Sequence, residues 1–113
     1  MPTVPINFVK ADIALDMLRD CLSDDDGAVI PGKHFREELT KEGLTIPDAW
    51  HVLRTGCIYN PPECDVKTGE WKYNVEGHTP DGTWLAVVLC FKEVNKVFLI
   101  TVFSVEVKRR RTV

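Results

Sequence analysis

The sequence has no hydrophobic run long enough to cross a membrane, and its first residues do not have the pattern of a secretory signal. A transmembrane helix needs about 20 consecutive apolar residues, and the 113 residues contain no such run. The first residues, MPTVPINF, show neither a basic start nor a long apolar stretch, so a secretory signal is not expected. The sequence therefore predicts a cytoplasmic protein with no membrane partner.

The sequence also lacks paired cysteines. Its four cysteines include no CxxC pair, which is the spacing typical of zinc ribbons and fingers. A site assembled from His51, Cys57, Cys64 and His78 would match no compact zinc motif. We therefore expect reduced thiols, with Cys90 buried in a strand, and neither a metal site nor a cofactor.

Positive charge is scarce outside one short segment. The formal net charge is −3, from 14 basic and 17 acidic residues, and four of the basic residues form the KRRR run at 108–111. The rest of the chain is acidic, which is not typical of a protein that binds nucleic acids in general. We expect a single domain over residues 1–107 and a basic C-terminal tail over 108–113. The tail is either a disordered, solubilising end or a segment that steers RNA or binds a partner.

Three helices are predicted in the N-terminal half. Apolar residues at four-residue steps indicate the first helix, within FVKADIALDMLRDCLSDDDG. The second is GKHFREELTKEGL, which ends where Gly43 can adopt a left-handed conformation. The third is TIPDAWHVLRTG, with Thr45 as N-cap, Asp48 as the other half of a capping box, and Gly56 at its end.

After residue 56 the apolar period changes from helical to alternating. Four strands are predicted, within CIY, EWKYNVEG, WLAVVLCF and VFLITVFSVEV. A hairpin turn joins the last two, with Asn95 available for a positive φ. The fold class is therefore α+β, with two layers in which N-terminal helices pack on a four-stranded antiparallel meander.

The strand at residues 84–91 is apolar on both faces. Because the helices can cover only one face of the sheet, the apolar residues on its other face predict a cleft, a homodimer surface or a site for another partner.

The order of short motifs along residues 8–106 resembles a known family. His34 opens a short helix, and DAWHVLRTG, YNPPE, KYNVEG, DGTWLAVV and LITVFSVE follow. This order resembles a family of small bacterial proteins known only as domain of unknown function 4258. That family is distantly similar to RelE and BrnT toxins. The resemblance implies a RelE-like fold, a toxin-like ribonuclease or a relic of one, and a zinc-finger or helix-turn-helix protein as an antitoxin-like partner.

The resemblance places the family's histidine at His34, sets Lys72 and Tyr73 on a family strand, and brings Arg54 into register. RNA cleavage without a metal needs an acid or base and a cation to stabilise the phosphorane. His34 could be the acid or base, with Lys72 and Tyr73 as further catalytic residues. Phosphate would be held by side chains from the second and third helices and the tail, namely Arg36, Arg54, Lys108 and Arg109.

Two alternatives stay open at this point. His34 could merely pair with Glu38, one helical turn later, and the charges of Lys72 and Arg54 could simply be solvated. For the whole chain, the first hypothesis is a metal-independent ribonuclease of a toxin-antitoxin pair. The second is a non-catalytic interaction module that docks a small DNA-binding protein through its open sheet face.

Overall fold

The computed structural model of the protein describes residues 8–105 as an α+β domain, with three helices on one face of a mixed sheet. The helices are α1 (Ala11–Ser23), α2 (Lys33–Lys41) and α3 (Ile46–Thr55); the strands are β1 (Ala28–Pro31), β2 (Glu63–Cys64), β3 (Trp71–His78), β4 (Trp84–Glu93) and β5 (Lys96–Ser104). No helix in this described part of the chain is long and apolar enough to span a membrane.

The described sheet has five strands in the order β1-β5-β4-β3-β2. Strands β3, β4 and β5 form an antiparallel meander, as predicted. At one edge β1 runs parallel to β5, and at the other β2 pairs with β3 over two residues. The prediction of a four-stranded, purely antiparallel sheet is therefore wrong, whereas the α+β class is confirmed.

Both differences have a local physical cause. Strand β1 is only four residues long and ends at Pro31, so it is too short to show an alternating pattern before the chain turns into α2. The CIY segment forms no full strand, because Cys57 makes an isolated bridge to Glu76 and two prolines follow at positions 61 and 62. Proline cannot donate to a ladder, and pairing resumes only at Glu63.

The predicted helix ends are largely confirmed. At the start of α3 the Thr45 hydroxyl accepts from the Asp48 amide at 3.4 Å, and an Asp48 carboxylate oxygen accepts from the Thr45 amide at 2.9 Å. Gly43 adopts φ 71° after α2. The positive φ expected at Asn95 is wrong, because no non-glycine residue among those described has a positive φ.

The core lies between the helices and one face of the sheet. Phe35 from α2 and Leu53 from α3 are fully buried against Val75, Leu85 and Leu99, which point to this face from the three meander strands. Full burial of such side chains contributes roughly 1.5–3 kcal/mol each relative to exposure. The alternation along each strand consequently turns the intervening residues to the opposite face.

A close backbone contact joins the end of α3 to β3. The Cys57 and Glu76 amides each donate to the other's carbonyl at 2.9 Å. Arg19 of α1 donates through Nη2 to the Gly56 carbonyl at 2.6 Å. A Cβ atom on Gly56 would lie 2.4 Å from the Glu76 carbonyl oxygen and 2.7 Å from that of Val52. This close contact between the end of α3 and β3 requires glycine at position 56. The contact also directs the following residues around the edge of β3 to the other side of the sheet.

We predict that Gly56→Ala destabilises the protein by about 2–3 kcal/mol, because both atoms that the new methyl group meets belong to the backbone. Gly43→Ala is the matched control: nothing lies within 4 Å of its Cβ position, so only the positive φ is strained, at a cost of about 1 kcal/mol. Urea unfolding followed by circular dichroism measures both. Equal losses in the two variants would contradict the close contact at Gly56.

Candidate interaction surface

The sheet face turned away from the helices, called the outer face below, carries a mixture of aromatic, apolar and charged side chains. Register identifies its members: Glu76 pairs with Ala86, and Ala86 pairs with Phe103, so these three side chains form one row across β3, β4 and β5. Trp84 projects from β4 on the same face, two residues before Ala86. The helices do not cover this row.

Tyr59 joins the row from the segment after α3. Its ring centroid lies 6.0 Å from that of Trp84, at an interplanar angle of 41°. Trp84 also meets the His78 ring edge-on, with centroids 4.6 Å apart. Tyr59 is 50% exposed and Phe103 is 41% exposed. We call Tyr59, Glu76, Trp84 and Phe103 the aromatic–carboxylate patch.

Glu76 is the unusual member of this patch. Its exposed fraction is only 3%, and its Oε1 atom accepts a hydrogen bond from the Trp84 indole Nε1 at 3.0 Å. A carboxylate is among the groups least often buried, since leaving water costs several kcal/mol unless polar partners replace the solvent. The Trp84 indole is one polar partner that replaces solvent at this buried carboxylate.

Two ion pairs lie at the opposite end of the outer face. Lys72 Nζ is 3.3 Å from Asp65 Oδ2, and Lys92 forms an ion pair with Glu70. Hydrogen bonding to Glu70 raises the pKa of Lys92, and a backbone hydrogen bond from Lys67 is the main cause that lowers the pKa of Asp65. Both lysines of this end therefore have acidic neighbours that neutralise them.

Cys90 lies beneath the pair of Lys92 and Glu70, with its sulfur 3.8 Å from Glu70 Oε2. It is buried in β4, as predicted. Burial, followed by the negative charge of Glu70, raises the pKa of this thiol to about 11. A thiol with that pKa is protonated at neutral pH and is a poor nucleophile, so we assign it no chemical role.

A polar depression of about 250 Å³ separates the two ends of the outer face. It is lined by side chains from the segment after α3 and from the middle of β3 and β4, namely Asn60, Pro61, Glu63, Lys72, Asn74 and Val88. Lys72 and Lys92 are paired with Asp65 and Glu70, and Glu63 adds an exposed carboxylate to this part of the outer face.

The structure does not bring the sequence-predicted catalytic residues together. His34 lies exposed in the first turn of α2, which packs beside β5, whereas Lys72 and Tyr73 lie on β3. Strand β4 stands between β5 and β3, which sets those strands about 10 Å apart. Lys72 and Tyr73 point to opposite faces of the sheet because they are adjacent in one strand.

Tyr73 lies in the core. Its exposed fraction is 1%, its hydroxyl donates to the Val9 carbonyl at 2.7 Å, and the same oxygen accepts from the Val9 amide at 3.0 Å. Burial raises its pKa. This geometry fastens the segment before α1 to the sheet and leaves the Tyr73 hydroxyl directed away from solvent.

The predicted phosphate-binding residues are also spread over the molecule. Arg36 lines a groove of about 640 Å³ between α2 and the start of α3, with Leu39, Ile46 and Trp50. Arg54 is exposed near the other end of α3, eight residues after Ile46 and thus about 12 Å along the helix axis.

Three further sequence predictions concern the tail, the His34 pair and metal binding. Lys108 and Arg109, with the rest of the tail, lie outside the described residues. Within the described range 8–105, no ion pair joins His34 to Glu38, and no group of three or more His, Cys, Asp or Glu side chains could hold a metal ion.

The residues of the aromatic–carboxylate patch were not among the candidates from the sequence. Glu76 occupies a polar position of an alternating strand, which predicts solvation rather than burial. Trp84 stands at the start of an apolar strand, which predicts a core residue. The only available signal was the excess of apolar residues on both faces of β4, which predicted a functional outer face without identifying its members.

Protein-family models, curated proteins and solved structures show no match to the chain. The resemblance to domain of unknown function 4258 and to RelE-type toxins accordingly stays a prediction, and the candidate surface stands on its geometry alone.

We predict that Trp84→Phe destabilises the protein by about 1–2 kcal/mol more than Trp71→Phe, because it removes the indole donor of the buried Glu76 carboxylate. Trp71 is the control, since it is also a partly buried tryptophan and contacts the ring of Phe8 edge-on. Chemical unfolding of both variants tests this difference. A loss of unfolding free energy in Trp84→Phe no larger than that in Trp71→Phe would show that the indole bond to Glu76 does not stabilise the fold.

Proposed function

We propose that this protein is a non-catalytic interaction module that docks a small DNA-binding protein in the cytoplasm through the outer face of its sheet. The observation that supports this function best is the composition of that face. The half-exposed aromatic rings of Tyr59 and Phe103 share this face with a buried carboxylate, and the described lysines of the face are held in ion pairs. Aromatic side chains are the residues most enriched at protein interfaces.

The charge of the outer face favours a protein over a nucleic acid as the ligand. Phosphates would approach the exposed carboxylate of Glu63 on this face, and the described lysines of the face, Lys72 and Lys92, are already paired with Asp65 and Glu70. Nucleic-acid affinity comes mainly from unneutralised lysine and arginine. A DNA-binding protein presents a basic surface, which complements an acidic face and accelerates association at low ionic strength.

We predict that Phe103→Asp abolishes capture of the partner while the fold is retained, because Phe103 is half-exposed and its loss removes apolar contact area from the outer face. Ile13→Asp is the control, since Ile13 is also 50% exposed but lies on α1, on the helical side. Co-expression with the product of a neighbouring gene, followed by affinity capture and calorimetry, measures binding.

The interaction module is contradicted if the wild type binds no neighbouring product, or if Phe103→Asp binds as well as Ile13→Asp. Size-exclusion chromatography of the wild type tests the predicted homodimer in the same preparation. A dimer that dissociates in Phe103→Asp would assign the outer face to a second copy of the chain and would exclude the partner protein from it.

The ribonuclease hypothesis is the second proposed function, and one observation favours it. The exposed first turn of α2 carries Lys33, His34 and Arg36 and no acidic residue. A helix N-terminus with basic side chains attracts phosphate, so His34 could act there as acid or base without Lys72 and Tyr73.

For this second function we predict that His34→Ala lowers RNA cleavage at least about 100-fold, the usual contribution of an acid–base residue. Lys67→Ala, which removes an exposed cation from the turn between β2 and β3, is the control and should leave most of the rate. Cleavage of labelled RNA by preparations with matched circular dichroism spectra gives the answer. Equal rates in the wild type and His34→Ala, or no cleavage by either, would exclude catalysis by His34.

A further inference from the structure

We propose that the groove between α2 and the start of α3 binds a small organic acid, a molecule with an apolar chain or ring and a single carboxylate group. The carboxylate would bind the guanidinium group of Arg36, and the apolar part would lie against the apolar side chains of the groove. The groove lies on the helical side of the protein, so this inference does not depend on the function proposed for the outer face.

The groove has the size and the lining of a small-molecule site. Its volume is about 640 Å³, which falls within the range of roughly 300–1,000 Å³ that is typical of ligand pockets. Such pockets are mostly apolar and carry a few polar groups that orient the ligand. The apolar side chains that line this groove are Pro31, Leu39, Leu44, Ile46 and Trp50.

The apolar lining is held in place by the core and still presents surface to solvent. Leu39 of α2 is buried, and Trp50 of α3 is half-buried against the core cluster. Ile46, in the first turn of α3, is 39% exposed. A ligand that covers Ile46 would remove apolar surface from water, which favours binding. Because the wall behind it is already packed, little ordering of side chains is needed.

The two threonine hydroxyls of the groove are already engaged within the protein. Thr40 Oγ1 donates to the Arg36 carbonyl at 3.1 Å. Thr45 Oγ1 donates to Asp48 Oδ2 at 3.0 Å and accepts from the Asp48 amide in the capping box. Since both hydroxyl protons are used in this way, the groove favours a ligand that is apolar along most of its length and polar at one end.

Arg36 supplies the position for that polar end. The residues three and four positions away from it carry no carboxylate; they are Gly32, Lys33, Leu39 and Thr40. Arg36 therefore has no partner for an i,i+4 ion pair in its own helix, and no ion pair in the described part of the chain involves it. An exposed guanidinium group binds a carboxylate through two parallel hydrogen bonds.

A single arginine suits a carboxylate better than a phosphate ester. Of the described residues that line the groove, only Arg36 is basic. A carboxylate carries one negative charge, whereas a phosphate monoester carries nearly two at pH 7. The chain's own C-terminal segment is a poor occupant by the same reasoning, because the KRRR run at 108–111 would bring like charge to Arg36.

The test uses octanoate as the probe and follows the indole N–H resonances of the three tryptophans in ¹⁵N-labelled full-length protein. We expect octanoate to shift the resonance of Trp50, which lines the groove. The resonances of Trp71, which contacts Phe8, and of Trp84, on the outer face, should stay in place. Equal shifts of all three resonances would show non-specific association and overturn the proposal.

Substitution of the arginine tests the charge. Arg36→Met keeps a long apolar side chain and should weaken octanoate binding about tenfold. Lys41→Met is the matched control, since Lys41 is exposed on the same helix but lies about 140° away around the helix axis; it should change affinity less than twofold. Equal losses in the two variants, at matched circular dichroism spectra, would show general charge attraction and contradict a site at Arg36.

The apolar contribution is tested by the chain length of the probe and by a second pair of variants. Each methylene group between hexanoate and octanoate should strengthen binding about two- to fourfold. Ile46→Ser should weaken octanoate binding several-fold, whereas Ile13→Ser, at an exposed isoleucine of α1, should leave it unchanged. Equal affinity for hexanoate and octanoate would exclude burial of the chain in the groove.

Three other occupants are outcomes of the same experiments, and each overturns the proposal. Tighter binding of octyl phosphate than of octanoate would identify a phosphate site. A peptide of residues 106–113 that shifts the Trp50 resonance more than octanoate does would assign the groove to the chain's own segment. Loss of partner capture in Arg36→Met, with capture retained in Phe103→Asp, would assign the groove to the partner protein.

The result is separable from the function proposed for the outer face. Octanoate binding should be the same in Phe103→Asp as in the wild type, because Phe103 lies on the opposite side of the sheet from the helices. If octanoate fails to bind while Phe103→Asp abolishes partner capture, the groove proposal is wrong and the interaction module stands. If octanoate binds as expected and no partner is captured, the reverse holds.

Discussion

The contact between the end of α3 and strand β3 is the constraint on which the other features depend. Because Gly56 and the Cys57–Glu76 bridge allow two backbones to meet without side chains between them, α3 is held over the inner face. The same contact sends the next residues around the edge of the sheet, where Tyr59 reaches Trp84. This contact therefore positions both the core and the outer face. Glu76 takes part in it through its backbone and in the outer face through its side chain.

The outer face combines two properties that usually exclude each other. It is sufficiently apolar to favour contact with another molecule, and it carries carboxylates that oppose phosphate. A protein surface with exposed cations can supply apolar contact and an opposite charge. RNA can supply contact, but the carboxylates repel its phosphates. The basic turn at the start of α2 lies elsewhere and has the opposite charge, so the two proposed functions use different surfaces and can be separated by single substitutions.

Much of the fold was predictable from local signals. The capping box at Thr45, the left-handed Gly43 and the alternation in β3 each report a short-range preference that the structure confirms. Strand β1 could not be predicted, because its stability comes from pairing with β5 some 68 residues later, between Ala28 and Lys96. The same reasoning applies to the patch, since the hydrogen bond that Trp84 donates to Glu76 forms only when β3 and β4 have paired.

The two edges of the sheet limit how this protein can associate. On one side β1 ends at Pro31, and α2 then follows the remainder of β5 from the Gly32–Leu99 bond to the contact between Glu42 and the Ser104 amide. On the other side β2 offers only two residues, one of them charged. Short, covered or proline-ended edges discourage strand addition and aggregation. Any stable assembly of the described domain is thus directed to a face of the sheet, where side chains rather than backbone amides decide which molecule is accepted.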